Sequence, residues 1–349
     1  MARGGHQRAI QDGGFRRIAV LRLSSLGDVI LTQPVLQALA AAFPEAHLTY
    51  WVKEEFADLV RHDPAVAHVR VLEREARRLE DLLSMSAELE DADLIVDLHG
   101  NLRTRILTMG HRARVLRSPS FRLRRAAQIY LRWARPPRPP TVLARHAAAL
   151  APLAIACAEV PRVHAGPEAE TWAAAWLAAW GEGAPPVAMI PGAAHATKRW
   201  PEAHWLALHE RLRARGERLL YFGLEADRAR LPDLAARVAA DPASRWCAER
   251  LARVAALLSH CRCAVAGDTG LMHLAAARGL KVVAMFGSTA PELGFAPAGF
   301  GHAVLCRHEP CQPCTLHGRE RCPQGHFRCM VGLTPQAVAD AAASLGREA

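Results

Sequence analysis

From Asp97 to Glu159 no acidic residue intervenes, yet twelve arginines fall there, from Arg103 to Arg145. Arginines without interspersed carboxylates repel one another, so an external anion is the expected partner, with a solvated basic face as the plainer alternative. Phosphorylated lipid, nucleic acid and an anionic membrane surface all qualify. Aromatic residues are scarce in the stretch 103–145, which has only Phe121, Tyr130 and Trp133. Nucleic-acid grooves interleave basic and aromatic side chains so that bases can stack, so no nucleic acid is expected. The basic excess is uneven: of the net +10, residues 1–150 carry +7 and the remainder +3.

Long apolar runs are also missing. The longest candidate, from Ala147 to Ala158, is interrupted by Pro152, whereas a membrane span needs roughly 18–20 apolar residues. The first residues, MARGGHQRAIQDGGFRR, hold no apolar core of a secretory signal, which leads to a cytoplasmic expectation. Nine cysteines without such a signal do not suggest a disulfide framework. No GxxxxGK[ST] and no GxGxxG fingerprint occurs, which takes weight from NTP hydrolysis and hydride transfer. The remaining composition, 51% hydrophobic and 22% charged, is that of a globular chain, and 349 residues suit two domains.

The pattern of those domains can be read along the chain. RIAVLRL (17–23) reads as a buried strand, SSLGD as a turn, and Val29–Ala42 as a helix stopped before Pro44. Strands follow at His47–Val52, His68–Leu72 and Asp93–Asp97, with a helix running through Leu89 before the last. Residues 103–140 look irregular and end in ARPPRPP, which suits neither helix nor central strand. The second half repeats the alternation. Strands are expected at Val187–Ile190, Arg218–Phe222, Cys263–Ala266 and Val282–Phe286, the last closing the run. Helices are expected from Pro201 to Arg215, over 249–259, and from GDTG through Arg278. Such β-α alternation gives doubly wound parallel sheets. The expectation is two Rossmann-like α/β domains facing a central cleft, spanning residues 15–165 and 166–345.

Four segments sit where strands end and helices begin, the place ligands favour in open α/β sheets. In Asp268-Thr269-Gly270-Leu271-Met272-His273 a helix N-terminus offers free amides to a phosphate, with Thr269 adding a hydroxyl and Gly270 allowing close approach. An Asp N-cap on a tight turn explains the segment equally well. In PGAAHATKRW (191–200), Lys198 and Arg199 could neutralise a departing diphosphate or be ordinary solvated cations. In Ser24-Ser25-Leu26-Gly27-Asp28, the Asp28 carboxylate could accept a proton from a sugar hydroxyl or cap its own helix. The loop from Asp97 to Arg103 could present Asn101 and Arg103. Trp172, Trp176 and Trp180, at i, i+4 and i+8, read as a packing stripe. Cys311-x2-Cys314-x7-Cys322-x6-Cys329 has metal-ligand spacing only in its CxxC half, so reduced thiols or an occasional disulfide are expected and no catalytic metal, with a structural zinc as the alternative.

Taken together, RIAVLRLSSLGDVILTQPVLQAL, DLHGNLRTR, PGAAHATKRWP, GDTGLMHLAAA and CQPCTLHGRERCPQGHFRCM, in this order, resemble the heptosyltransferases of glycosyltransferase family nine. The resemblance spans nearly the whole chain. It implies the GT-B fold, with an N-terminal acceptor domain and a C-terminal donor domain. It further implies transfer of heptose from ADP-L-glycero-D-manno-heptose to the Kdo- or heptose-terminated inner core of lipopolysaccharide on lipid A. Asp28 then matches the catalytic base, and Lys198 a lysine on the donor phosphates. Asp268, Thr269, Gly270 and His273 match the donor-binding D-T-G-x-x-H segment, and Glu225 an acidic residue near the ribose. Ser25, Gly27, Asn101 and Arg103 become acceptor-side candidates. Ala193 and Ala194 stand where some members carry hydroxyl residues. No cofactor is implied beyond the nucleotide-sugar donor. The arginines then meet an acidic acceptor at an anionic membrane surface, with the protein peripheral at the inner face of the inner membrane. A relative moving another sugar onto an envelope glycan, or a non-catalytic sugar-nucleotide binder, are the competing readings.

Overall fold

The strand at Arg17–Leu21 (β1) is buried from Ile18 onward, as an apolar run in the middle of a parallel sheet must be. In this computed structural model, which describes residues 14–72, 85–131 and 137–345, β1 is flanked on both sides. His47–Lys53 (β2) and His68–Leu72 (β3) lie to one side, Leu94–Asp97 (β4) and Arg114–Arg117 (β5) to the other. All pairs are parallel, and the order is β3-β2-β1-β4-β5. Most of the helix expected before Leu89 lies outside the described residues, as do Arg132, Trp133 and Arg135 of the arginine-rich stretch.

The second sheet uses Val187–Ile190 (β6), Leu219–Phe222 (β7), Ser244–Cys247 (β8), Cys263–Gly267 (β9), Val282–Phe286 (β10) and Ala303–Cys306 (β11). It is wholly parallel in the order β11-β10-β9-β6-β7-β8. Every residue of β6, β7, β9 and β10 is buried, which is why these strands were legible as short uninterrupted apolar runs.

The helices are Leu26–Ile30 (α1), Gln33–Ala42 (α2), Leu102–Leu107 (α3), Arg122–Tyr130 (α4), Val142–Ala147 (α5), Pro167–Trp180 (α6) and Glu202–Ala214 (α7). They continue with Glu225–Arg230 (α8), Pro232–Ala240 (α9), Leu251–Leu258 (α10), Gly270–Ala277 (α11), Arg328–Val331 (α12) and Pro335–Leu345 (α13). α13 packs on α7, β9 and β10 and buries Val338, Ala339 and Ala342.

Several expectations need correction. The single helix over Val29–Ala42 is two: the Thr32 hydroxyl bonds back to the Val29 carbonyl at 2.7 Å, and Thr32 is the N-cap from which the second helix starts at Gln33, with Pro34 in its first turn. Residues 103–140 are not irregular: they contain α3, β5 and α4. β5 and β8 are short edge strands in which arginine interrupts the apolar residues (RVLR, SRWC), unlike the continuous apolar runs that marked β6, β7, β9 and β10. Val282–Phe286 does not close the run, since β11 follows. Pro201 is the N-cap of α7 and not its first residue.

The chain forms two compact units, residues 1–120 with 142–164, and residues 121–141 with 165–349. The sequence assigns 121–141 to the N-terminal domain. In the structure α4 and the following proline segment pack with the second unit, where Arg138 Nη2 lies 3.7 Å from Glu292.

Candidate functional site

In each unit the candidate residues, apart from Glu225 after β7, stand at the point where the strand order reverses. In the first sheet that point lies between β1 and β4, whose carboxyl ends lead into Ser24–Asp28 and Asp97–Arg103. In the second it lies between β6 and β9, which lead into 191–200 and 268–273. Neighbouring strands there send their connections to opposite faces, leaving a crevice lined by loop amides and helix starts.

In the first unit Asp28 Oδ2 lies 2.8 Å from Arg22 Nη2 and accepts from Ser25 Oγ at 2.9 Å. Ser25 is the N-cap of α1 and Asp28 its third residue, so the aspartate does bond back to its helix start while facing Arg22. The Asp28 side chain is 24% exposed, whereas Arg22 is nearly enclosed and donates through Nη1 to the Leu98 carbonyl at 2.6 Å. One guanidinium therefore ties the loop after β1 to the loop after β4. Burial pushes the Asp28 carboxyl up, but Arg22, His146 and Ser25 outweigh it and hold the group at about 2. Two histidines face the same charge. His146 of α5 is fully buried, with neither ring nitrogen hydrogen-bonded. Burial and then Arg22 bring His146 down to about 3 and His99 to about 4, so both are neutral at physiological pH.

Asp97, also fully buried, accepts from the amides of His99 and Gly100 at 3.0 and 2.8 Å and from Thr104 Oγ1 at 3.0 Å. Asn101 caps α3 by accepting from the Thr104 amide at 2.9 Å. Arg103 is half-buried in the first turn, Gly27 is buried and Ser25 exposed.

In the second unit Lys198 Nζ lies 2.7 Å from Asp268 Oδ2, their side chains 15% and 6% exposed. The same oxygen accepts from Thr289 Oγ1 at 2.7 Å. Asp268 is therefore not the N-cap of α11. That place belongs to Thr269, which accepts from the Met272 amide at 3.3 Å. The amides of Gly270 and Leu271, at the first two positions of the helix, have no partner within it. His273 is buried one turn further on. Arg199 folds onto its own loop, donating to the carbonyls of Ala193 and Ala194 at 2.7 and 2.9 Å, which leaves Lys198 as the cation beside α11. Glu225 begins α8 with its carboxylate 71% exposed and Arg228 3.7 Å away.

The Lys198 loop rests on the cysteine-rich segment, a role that sequence reasoning missed. Thr197 Oγ1 donates to Ser288 Oγ at 2.8 Å and accepts from the Arg319 amide at 2.8 Å, while the Thr197 amide donates to the Arg319 carbonyl at 3.0 Å. The Gln312 side-chain amide donates to the carbonyls of Gly287 and Thr289 at 2.6 and 3.0 Å. A Cβ on Gly287 would stand 2.9 Å from the Thr197 carbonyl and 2.6 Å from Met330, so only glycine lets these segments meet. Cys311 Sγ is 3.8 Å from His326 Nε2. Among the described residues no three His, Cys, Asp or Glu side chains form a metal-binding group. A cavity of about 590 Å³ in this unit is lined by Arg122, Arg125 and Tyr130 of α4 and by Thr315, His317 and Arg319, with no carboxylate among its lining residues.

Paired doubly wound parallel sheets with their polar loops at the switch points are the architecture of GT-B glycosyltransferases. A glycosyl transferase family 9 structure from Veillonella parvula superposes with a TM-score of 0.77 at 21% identity, covering 96% of this chain and 98% of that one. ADP-heptose lipopolysaccharide heptosyltransferase II from Escherichia coli gives 0.70 at 19% identity over 94% and 98%. In sequence, lipopolysaccharide heptosyltransferase 1 of Pseudomonas aeruginosa is 33% identical over 358 aligned positions, 93% of this chain and 96% of that protein. The pattern of glycosyltransferase family 9 (heptosyltransferase) matches residues 83–322, and the chain belongs to that family. It is a glycosyltransferase.

Proposed function

We propose that the protein transfers heptose, with inversion, from ADP-L-glycero-D-manno-heptose to the Kdo- or heptose-terminated inner core of lipopolysaccharide on lipid A. The observation that carries this reading is Lys198, fixed by Asp268 beside the free amides at the start of α11. A rigid ammonium and a helix N-terminus together suit a diphosphate leaving group. Asp268 is nearly enclosed and lies 2.7 Å from Lys198 Nζ, so it acts on the donor through Lys198, whose ammonium it holds in place. Thr269 and Gly270 meet the phosphates, His273 completes that wall, and the exposed Glu225 accepts from the ribose hydroxyls.

In the first unit Asp28 is the base. It is ionised at neutral pH and therefore always in its proton-accepting form. So acidic a carboxylate takes the hydroxyl proton late, once the bond to the anomeric carbon has formed and made the attacking oxygen acidic. Ser25, Gly27, Asn101 and Arg103 border this position on the acceptor side. The acid groups of the acceptor find cations in the cavity of Arg122, Arg125 and Arg319. Among the described residues no helix is long and apolar enough to cross a membrane. The protein works from the cytoplasm, peripheral at the inner face of the inner membrane, because its acceptor is anchored there.

Mass spectrometry of lipid A acceptors after incubation with ADP-heptose tests this. A Kdo-terminated or a heptose-terminated acceptor gains one heptose. Unchanged mass of both, with gain from another nucleotide sugar, overturns the donor assignment.

A further inference from the structure

The helix α6 has the wrong surface for an ordinary solvent-facing helix. From Thr171 to Trp180 it contains no charged residue, and of its fourteen residues only Ala169 and Ala173 are buried. Ala174, Ala175, Ala178 and Ala179 are exposed, and Trp172, Trp176, Leu177 and Trp180 are half-buried. A surface helix normally turns charge toward water and its apolar stripe inward. Here the tryptophans that the sequence suggests as a packing stripe remain partly open.

The rings form a ladder, Trp172 to Trp176 at 6.4 Å and Trp176 to Trp180 at 5.7 Å between centroids. Guanidinium groups lie over its two ends. Arg253 is 4.6 Å from the Trp172 ring, and Arg218 and Arg245 are 4.0 and 5.7 Å from Trp180. The carboxylates of the first turn are engaged, Glu168 with Arg250 and Glu170 with Arg278, and Arg253 has Glu249. Arg218 and Arg245 take part in no ion pair among the described residues. An uncharged helix face with amphipathic indoles and two cations not neutralised by carboxylates has the composition that settles at the headgroup level of a bilayer. Indoles favour that depth, and guanidinium groups hold phosphates while their stems lie on apolar surface.

We propose that this face of α6, with Arg218 and Arg245, is where the protein rests on an anionic phospholipid surface. The inference builds on the reading of a lipid-anchored acceptor and adds to it the face that meets the lipid. Sedimentation with phosphatidylglycerol-containing vesicles and with pure phosphatidylcholine vesicles tests it, using wild type, the pair Ala175→Asp with Ala179→Asp, and the pair Arg218→Gln with Arg245→Gln. Both alanines are exposed, so aspartates there leave the fold intact and repel the lipid. The expected result is binding to anionic vesicles only, weakened at least tenfold by either pair, with heptose transfer to a detergent-dispersed acceptor unchanged by the aspartates. Vesicle binding that both pairs leave intact overturns the inference and moves the lipid contact elsewhere, while the transfer reading stands. Absence of vesicle binding, with a dimer in solution that the aspartates dissociate, also overturns it and makes the face a contact between copies. Loss of transfer by wild type to every lipid A acceptor is the separate failure of the proposed function.

Discussion

Asp28 and Lys198 each face an ion-pair partner of opposite charge, and what those partners do can be measured separately. Removing the Lys198 ammonium takes away a charged hydrogen bond, worth about 1.5–3 kcal/mol. Lys198→Gln should therefore raise the Kd for ADP roughly ten- to a hundredfold, as read by titration calorimetry. If Asp268 acts only by holding that lysine, Asp268→Asn weakens ADP binding less, and the double variant is no worse than Lys198→Gln alone. Additive losses would show a direct role for Asp268. The Asp28 pair has a pH signature as well. Its folded value of about 2 lies below the ordinary 3.8, so its contribution is complete above pH 3.8 and is lost as pH falls toward 2. Asp28 therefore stays charged throughout the range where the enzyme is assayed.

Among the elements, α5 carries the clearest pH liability. His146 is buried neutral with a folded value near 3, far below the ordinary 6.5. The stability this gives is full above pH 6.5 and falls as pH drops toward 3, by about 1.4 kcal/mol per pH unit. His146→Leu should flatten the fall of the urea midpoint between pH 7 and pH 5 while leaving the pH dependence due to His99. Equal slopes in the two proteins would contradict the assignment. The cysteine-rich segment is a scaffold for the Lys198 loop, and Gln312 is its most connected side chain. Gln312→Ala strips donors from buried carbonyls, at about 1–3 kcal/mol. It should lower the melting temperature and raise the ADP Kd together, whereas a lower melting temperature with unchanged ADP affinity would separate scaffold from site.

What the sequence disclosed follows from burial at the level of the element. β6 and β10 were readable to the residue because strands covered on both faces are continuous apolar runs. The short edge strands β5 and β8 were not, since arginines interrupted the run. At the site, Asp28, Lys198 and Asp268 stood out by their place after a strand. Arg22, Thr289 and Gln312 did not, because their importance lies in what they touch: Gln312 reaches Gly287, 25 residues away. The pairing of Lys198 with Asp268, separate in sequence, was invisible for the same reason.

Across the whole molecule, the proposed function divides the chemistry between two doubly wound units, assigning the nucleotide diphosphate to Lys198 and α11 in one and the base to Asp28 in the other. The arginine-rich stretch follows that division: Arg103 and Arg105 belong to the first unit, Arg122 and Arg125 to the second. The most direct measurement of the central claim is ADP release from ADP-heptose, with and without Kdo-terminated lipid A, by wild type and Asp28→Asn. The account predicts acceptor-dependent release by wild type, a loss of about a hundredfold or more in kcat for the variant, and an unchanged ADP Kd. Turnover by Asp28→Asn at the wild-type rate would contradict it and remove Asp28 from the role of base.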